Sequence, residues 1–184
     1  MYEIRWHGRG GQGVITASEI LAFAALKENK FFQSFPDFGP ERMGAPVRAY
    51  TRISNEKINI HSQIYEPDAV VLLDPTLLET DSIFEGIKKN GILIVNTKLS
   101  KEEIKKKINF KGKIFVLDAT KIALETIGKP ISNACCIGAL IKVTNIVKKE
   151  NLIETIKEIL GKKFSEKVVN GNVNATIRSF DEIN

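Results

Sequence analysis

Gly8, Gly10 and Gly13 stand at G-x-G-x-x-G spacing inside GRGGQG, between a strand-like run and a helix-like run. Glycines at this spacing let a backbone approach a phosphate, and the first turn of the helix that follows offers N–H donors and a partial positive charge. Gly8, Arg9, Gly10, Gly11, Gln12 and Gly13 are therefore the candidate cofactor-binding residues, with Arg9 and Gln12 as side-chain donors. A dinucleotide site also needs an acidic residue about 20 positions on, at the end of the second strand. Asp37 is near that distance but falls in a proline-rich loop, so no ribose role is assigned to it. The phosphate loop of nucleoside triphosphatases is excluded, because Val14-Ile15 stands where Lys-Ser/Thr is required. The alternative is a tight strand-to-helix turn that binds nothing.

Five of the six arginines, Arg5, Arg9, Arg42, Arg48 and Arg52, lie in the first 52 residues, alongside only two lysines, Lys27 and Lys30. The 21 lysines otherwise run as far as Lys167, interleaved with glutamate in helix-like stretches, which describes a solvated face. Arginine in place of lysine suggests that a planar fork is needed for phosphate or carboxylate; an accident of composition is the alternative. Three of these arginines, Arg42, Arg48 and Arg52, belong to FGPERMGAPVRAYTRI, Phe38 to Ile53, with Glu41 and Arg42 beside each other. Three prolines and two glycines between Pro36 and Pro46 make a fixed loop rather than a linker. Phe38, Glu41, Arg42, Met43 and Arg48 are its candidate interface or anion-binding residues, the loop presenting Arg42 to a partner chain or an anionic ligand.

Other reactive side chains invite weaker readings. Cys135-Cys136 suggests redox chemistry, but the apolar stripe around it makes both small helix residues. His7 adjoins the glycine loop with no nucleophile or paired carboxylate beside it in sequence. Asp74 and Asp118 each end a strand, where α/β proteins bind ligands; each could equally cap the turn that follows. No catalytic residue and no metal site is assigned. Two adjacent cysteines cannot ligate an iron–sulfur cluster unaided, and His7 and His61 lack metal-ligand spacing.

Composition narrows the class. At 184 residues, with 43% hydrophobic and 27% charged side chains, the chain is an ordinary globular protein of one domain, 1–184. Its longest apolar run, Ile20 to Leu26, is too short for a membrane span, and the first ten residues contain no apolar signal core, so a cytoplasmic location is expected. A net charge of +5 spread over helix-like stretches does not argue for nucleic acid.

The elements follow from periodicity. Tyr2 to Trp6 alternates as a strand, and VITASEILAFAALKEN has helical period. Phe31 to Phe35 and Val47 to Ile53 are strands, and Ile58 to Ile60 another, paired with Val47 to Ile53 in a hairpin around Ser54-Asn55. Ala69 to Leu73, Gly91 to Val95 and Lys113 to Leu117 are strands, the first two continuous apolar runs as a strand covered on both faces requires. Helices are expected over Leu77 to Lys89, Lys101 to Ile108 and Ala119 to Ile127. Three more follow: one capped by Asn133, one opened by a capping box of Asn151 with Glu154, and one starting at Ser165. The alternation argues an α/β fold: a three-layer, Rossmann-like domain with a mostly parallel sheet and a candidate hairpin extension.

Three segments, WHGRGGQGVITASEILAFAAL, FPDFGPERMGAPVRAYTRIS and IYEPDAVVLLDPTLLE, resemble the gamma subunit of the 2-oxoacid:ferredoxin oxidoreductases, most closely that of the pyruvate enzyme. DATKIALETIG, NACCIGA and NVNATIRSFDEI are similar to the later segments of that family, so the resemblance runs from Tyr2 almost to the end. Its specific mark is the glycine loop followed in order by Gly39-Pro40-Glu41-Arg42 and Gly44-Ala45-Pro46. The family pattern carries a second arginine after Arg42, where this chain has Met43. Gly44-Ala45-Pro46-Val47 is similar to the pyruvate-type loop rather than the 2-oxoglutarate type.

The resemblance implies a subunit of a complex that oxidatively decarboxylates pyruvate to acetyl-coenzyme A, passing electrons to ferredoxin. Thiamine diphosphate, magnesium and iron–sulfur clusters would lie on alpha, beta and delta-type partner subunits. This chain would help receive coenzyme A and assemble the complex, and would be inactive alone. Other readings stay open: a gamma subunit for 2-oxoisovalerate, indolepyruvate or 2-oxoglutarate, a purely structural subunit, or a free-standing NAD(P)-binding oxidoreductase.

Overall fold

The computed structural model describes residues 1–37, 44–80 and 83–183. Among them, β1 (Tyr2–Arg9), β2 (Phe31–Pro36), β3 (Pro46–Ser54), β4 (Ala69–Leu72), β5 (Ile92–Asn96) and β6 (Lys113–Leu117) form one sheet in the order β2-β3-β1-β4-β5-β6. β1, β4, β5 and β6 are parallel, whereas β3 lies antiparallel between β1 and β2. The helices are α1 (Val14–Leu26), α2 (Lys101–Lys107), α3 (Ala119–Thr126), α4 (Asn133–Thr144), α5 (Lys149–Gly161) and α6 (Glu166–Glu182).

Residues paired directly across antiparallel strands share a face. Ile4 opposite Thr51 and Trp6 opposite Ala49 therefore face one layer, while Glu3 opposite Arg52, Arg5 opposite Tyr50 and His7 opposite Arg48 face the other. The first layer is α1 with α3 to α6, packed on Ile4, Trp6, Val71, Ile94 and Leu117. The second is α2 with the segment after β4, where Leu77, Leu78, Ile83 and Ile104 cover Val70, Leu72, Leu93 and Val95. This is the expected three-layer α/β arrangement with a hairpin extension. No described helix is long and apolar enough to cross a membrane.

Four local expectations are corrected. Leu77 to Lys89 is not one continuous helix: a 3-10 turn, Pro75–Glu79, opens the segment, and residues 84–90 are turn and irregular chain. The carbonyls of Ile83 and Glu85 instead accept from Arg5 Nη2, at 3.0 and 2.7 Å. Gly86, at φ +71, fits against the Tyr65 carbonyl, where a Cβ has no room. Ile58 to Ile60 is not a strand, because both edges of β3 are already paired; the hairpin partner of β3 is β2. Asn133 is the first residue of α4 rather than its cap, which is Ser132. Asn151 lies inside α5, whose N-cap is Lys148; its Nδ2 donates to Glu28 Oε1 at 3.0 Å.

Candidate functional site

β1 delivers the glycine loop directly onto α1. Gly8 is where strand and helix touch: a Cβ there would lie 2.6 Å from Val14 Cγ2, so only glycine allows the approach. Gly11 and Gly13 turn the chain through φ of 94° and 77°, a region that disfavours side chains. The Gly10 amide donates to the Ala45 carbonyl at 2.9 Å, and the Gly44 amide to the Gly10 carbonyl at 3.3 Å, lacing the loop to the start of β3.

The polar side chains of the loop converge on Asp74, at the carboxyl end of β4. Gln12 turns inward: its Oε1 accepts from the Arg9 amide and its Nε2 donates to Asp74 Oδ2, both at 2.7 Å. Gln12 is thus a brace within the loop. Arg9 Nε lies 3.3 Å from Asp74 Oδ2; Nη2 donates to Thr76 Oγ1 at 2.9 Å and Nη1 to the Gly44 carbonyl at 3.1 Å. Its side chain remains 35% exposed. Asp74 Oδ1 accepts from the amide and hydroxyl of Thr76, at 2.9 and 2.6 Å. Burial pushes the Asp74 carboxyl up, but the Thr76 hydroxyl and amide, the Gln12 amide and the Arg9 charge outweigh it and hold the group below its ordinary value.

Above this brace, the amides of Gly11, Gly13, Val14, Ile15 and Thr16 have no hydrogen-bond partner among the described residues. They are the orphan donors of a helix N-terminus, and an anion is the ligand they suit.

The other candidates are distributed differently. Phe38, Glu41, Arg42 and Met43 lie outside the described residues. Arg48 is exposed on β3 and pairs with Asp37 at 2.8 Å. Asp37 also accepts from Gln63 Nε2 at 2.7 Å and Tyr50 Oη at 3.3 Å, so it is held at the sheet rather than at the glycine loop. Arg52, 1% exposed, bonds Glu3 Oε1 at 2.8 Å and Gln33 Oε1 at 3.1 Å. Arg5, Arg9, Arg48 and Arg52 all project to the same sheet face, and among the described residues Arg9, Arg48 and Arg52 each pair with a carboxylate.

His7 is buried and its Nε2 accepts from Arg5 Nε at 3.0 Å; burial, then the charges of Arg5 and Arg48, pushes it down to about 3. It is a neutral acceptor, not a base at physiological pH. Cys135 and Cys136 are buried thiols, and burial pushes Cys135 up to about 12. Asp118 caps α3 through the Lys121 amide at 2.9 Å. Among the described residues no group of three or more His, Cys, Asp or Glu side chains is placed to hold a metal ion.

One residue beside the loop carries no more than a cap-like pattern in the sequence. Asn133 approaches Gly13 from the start of α4, its Nδ2 2.5 Å from where a Gly13 Cβ would lie. No local pattern marks it, because strand order rather than sequence brings α4 to the loop.

Comparison with known proteins agrees with this architecture. The family described as "Pyruvate ferredoxin/flavodoxin oxidoreductase" matches residues 3–182. The "Pyruvate/ketoisovalerate oxidoreductases common subunit gamma" of Thermococcus kodakarensis is 55% identical over 91% of each chain. The "Pyruvate synthase subunit PorC" of Thermotoga maritima is 47% identical over 99% of this chain and 94% of its own. The crystal structure of pyruvate oxidoreductase subunit PORC from T. maritima superposes with a TM-score of 0.88 at 43% identity, covering 100% of this chain and 97% of that one. Fold and sequence agree along nearly the whole length, and the chain belongs to the pyruvate ferredoxin/flavodoxin oxidoreductase family.

Proposed function

We propose that this chain is the gamma subunit of a multi-subunit pyruvate:ferredoxin oxidoreductase, which converts pyruvate and coenzyme A to acetyl-coenzyme A and carbon dioxide with ferredoxin as electron acceptor. The observation that carries the reading is 47% identity, over 99% of the chain, to a pyruvate synthase subunit. Residues 1–184 act as one gamma-type domain in the cytoplasm, alongside alpha, beta and delta-type subunits that hold thiamine diphosphate, magnesium and the iron–sulfur clusters. The glycine loop receives the anionic end of coenzyme A: Gly8 sets the close approach, Gly10 to Gly13 present the helix amides, Arg9 stands beside them and Gln12 braces them. Phe38, Glu41, Arg42, Met43 and Arg48 contribute to a subunit interface or to anion binding. A second reading, a gamma subunit shared between pyruvate and branched-chain 2-oxoacid complexes, is favoured by the T. kodakarensis relative, described as common to both.

Native co-purification through a tag on this chain tests the proposal. The expected result is a complex with the three other subunit types, whose reduction of ferredoxin depends on pyruvate and coenzyme A. A chain that purifies without partners, from cells whose pyruvate-dependent activity survives its deletion, would overturn it. Parallel assays with 2-oxoisovalerate decide between a dedicated and a shared subunit.

A further inference from the structure

We infer that Asn133 completes the anion site of the glycine loop, its side-chain amide donating from α4 to a phosphate held on the N-terminus of α1. The inference rests on the reading of the loop given above and names a residue and a ligand group for it.

Asn133 is only 7% exposed. Its Oδ1 accepts from the Ala134 amide at 2.9 Å, which turns Nδ2 the other way, toward Gly13. Nδ2 has no hydrogen-bond partner among the described residues. No buried side-chain N or O atom lacks a partner among the described residues, so Nδ2 is the solvent-reached end of a carboxamide otherwise held in the fold, open to an acceptor on a ligand. This open donor faces the one turn whose own amides, Gly11 and Gly13 to Thr16, also lack partners. Two independent elements thus aim open N–H groups at one place, and a phosphate oxygen accepts from both.

The site is built rather than incidental. Asn96, at the carboxyl end of β5, donates through Nδ2 to the Leu73 carbonyl at 2.7 Å and to Thr120 Oγ1 at 2.9 Å, and lies 3.4 Å from Ser132 Oγ. Its Oδ1 accepts from the Thr120 amide at 3.1 Å. One side chain therefore ties the end of β4 to the starts of α3 and α4, so Asn133 arrives at the loop already positioned. The location is also the crevice outside the carboxyl ends of parallel strands, where α/β proteins bind ligands. Gly13 is required twice: its φ of 77° disfavours a side chain, and any Cβ would collide with Asn133. The ligand group is a phosphate or pyrophosphate, the handle of a nucleotide-type carrier such as coenzyme A.

The test uses the assembled complex and isothermal titration with coenzyme A, ADP and inorganic pyrophosphate. Asn133→Asp keeps the size and the acceptor for the Ala134 amide, and an acidic side chain suits a helix N-terminus. It replaces the donor by a negative oxygen. Coenzyme A and pyrophosphate should each bind it at least about tenfold more weakly, with the unfolding temperature of the ligand-free complex unchanged. Asn133→Ala should weaken both about threefold or more. Wild-type affinity in Asn133→Asp would overturn the role of Asn133 and leave the glycine-loop reading standing. A wild-type complex that binds none of the three probes would overturn that reading, and this inference with it. Tighter binding of coenzyme A than of ADP supports the carrier; the reverse order rejects it in favour of a free nucleotide. If Asn133→Asp fails to assemble, the side-chain amide resonance of Asn133 in the wild-type full chain gives the answer: it should shift on adding pyrophosphate, and an unmoved resonance overturns the proposal.

Discussion

His7 is held neutral between two guanidinium groups, and this fixes how acid acts on the fold. Its folded pKa, pushed down to about 3, lies below the ordinary 6.5, so the unfolded chain takes up the proton first as pH falls. Stability is fully present above about 6.5 and is lost between there and 3, at up to about 1.4 kcal/mol per pH unit. Urea unfolding of the chain at pH 7.5, 6 and 5 should show this slope, and His7→Gln, whose carbonyl can accept from Arg5, should flatten it. A slope unchanged in the variant would mean that another group is responsible. Arg9 acts on the loop itself. Arg9→Ala in the complex should raise the apparent KM for coenzyme A by a factor corresponding to about 1.5–3 kcal/mol, with assembly intact. Arg9→Lys should not rescue fully, because one ammonium cannot reach Thr76 and Gly44 with the geometry of the planar fork. Unaltered coenzyme A kinetics in Arg9→Ala would remove Arg9 from the site.

Among the helices, α5 starts without a capping side chain of its own. Glu28, just beyond the end of α1, supplies one from a distance: its Oε1 accepts from the Lys148 amide at 2.6 Å and from Asn151 Nδ2 at 3.0 Å. Burial pushes the Glu28 carboxyl up, yet the Lys148 amide, Lys30 and Asn151 hold it below its ordinary value. Its contribution is therefore present above about 4.5 and is lost as pH falls below that value. Glu28→Ala should cost about 1–2 kcal/mol at pH 7 in urea unfolding and raise hydrogen exchange in the first turn of α5. α2 is capped locally instead, Ser100 and Glu103 forming a capping box, and Ser100→Ala should cost about 1 kcal/mol. A Glu28→Ala loss smaller than the Ser100→Ala loss would show that the remote cap adds nothing beyond surface charge.

The whole molecule has a complete core on both faces of its sheet and no buried side-chain N or O atom without a partner among the described residues. Such a chain folds without its partners. The isolated protein should unfold cooperatively in calorimetry and show no turnover of pyruvate, coenzyme A or ferredoxin; turnover by the purified chain, free of other subunits, would contradict the assignment as a gamma subunit. At the β2 edge of the sheet Phe31 is 48% exposed, and Phe23, whose ring packs on Phe32, and Leu26 on α1 are exposed as well. Phe32 and Phe35 are half-buried, and Phe38 and Met43 lie outside the described residues.

Local periodicity was enough to place β1, the glycine loop, α1, the apolar strands β4 to β6 and the helices α2 and α3, because alternation and 3.6-residue repeats record which face of an element is dry. The glycine loop was legible for the same reason: its conformational demands fall on consecutive residues. What the long polar side chains do was decided by strand order. Gln12 meets Asp74 and Arg9 meets Thr76 only because β4 lies beside β1, and Arg5 reaches Ile83 and Glu85 across the same junction, taking carbonyls that a helix over Leu77 to Lys89 would have used. Ile58 to Ile60 carries a strand-like pattern but finds no free sheet edge. Asn133, more than a hundred residues after Gly13, arrives beside it through the packing of α4 on α1 and the tie made by Asn96. Sequence pattern determines elements and faces through short-range sterics and burial; the partner of a charged or amide group depends on contacts between distant segments, which only the assembled sheet brings together.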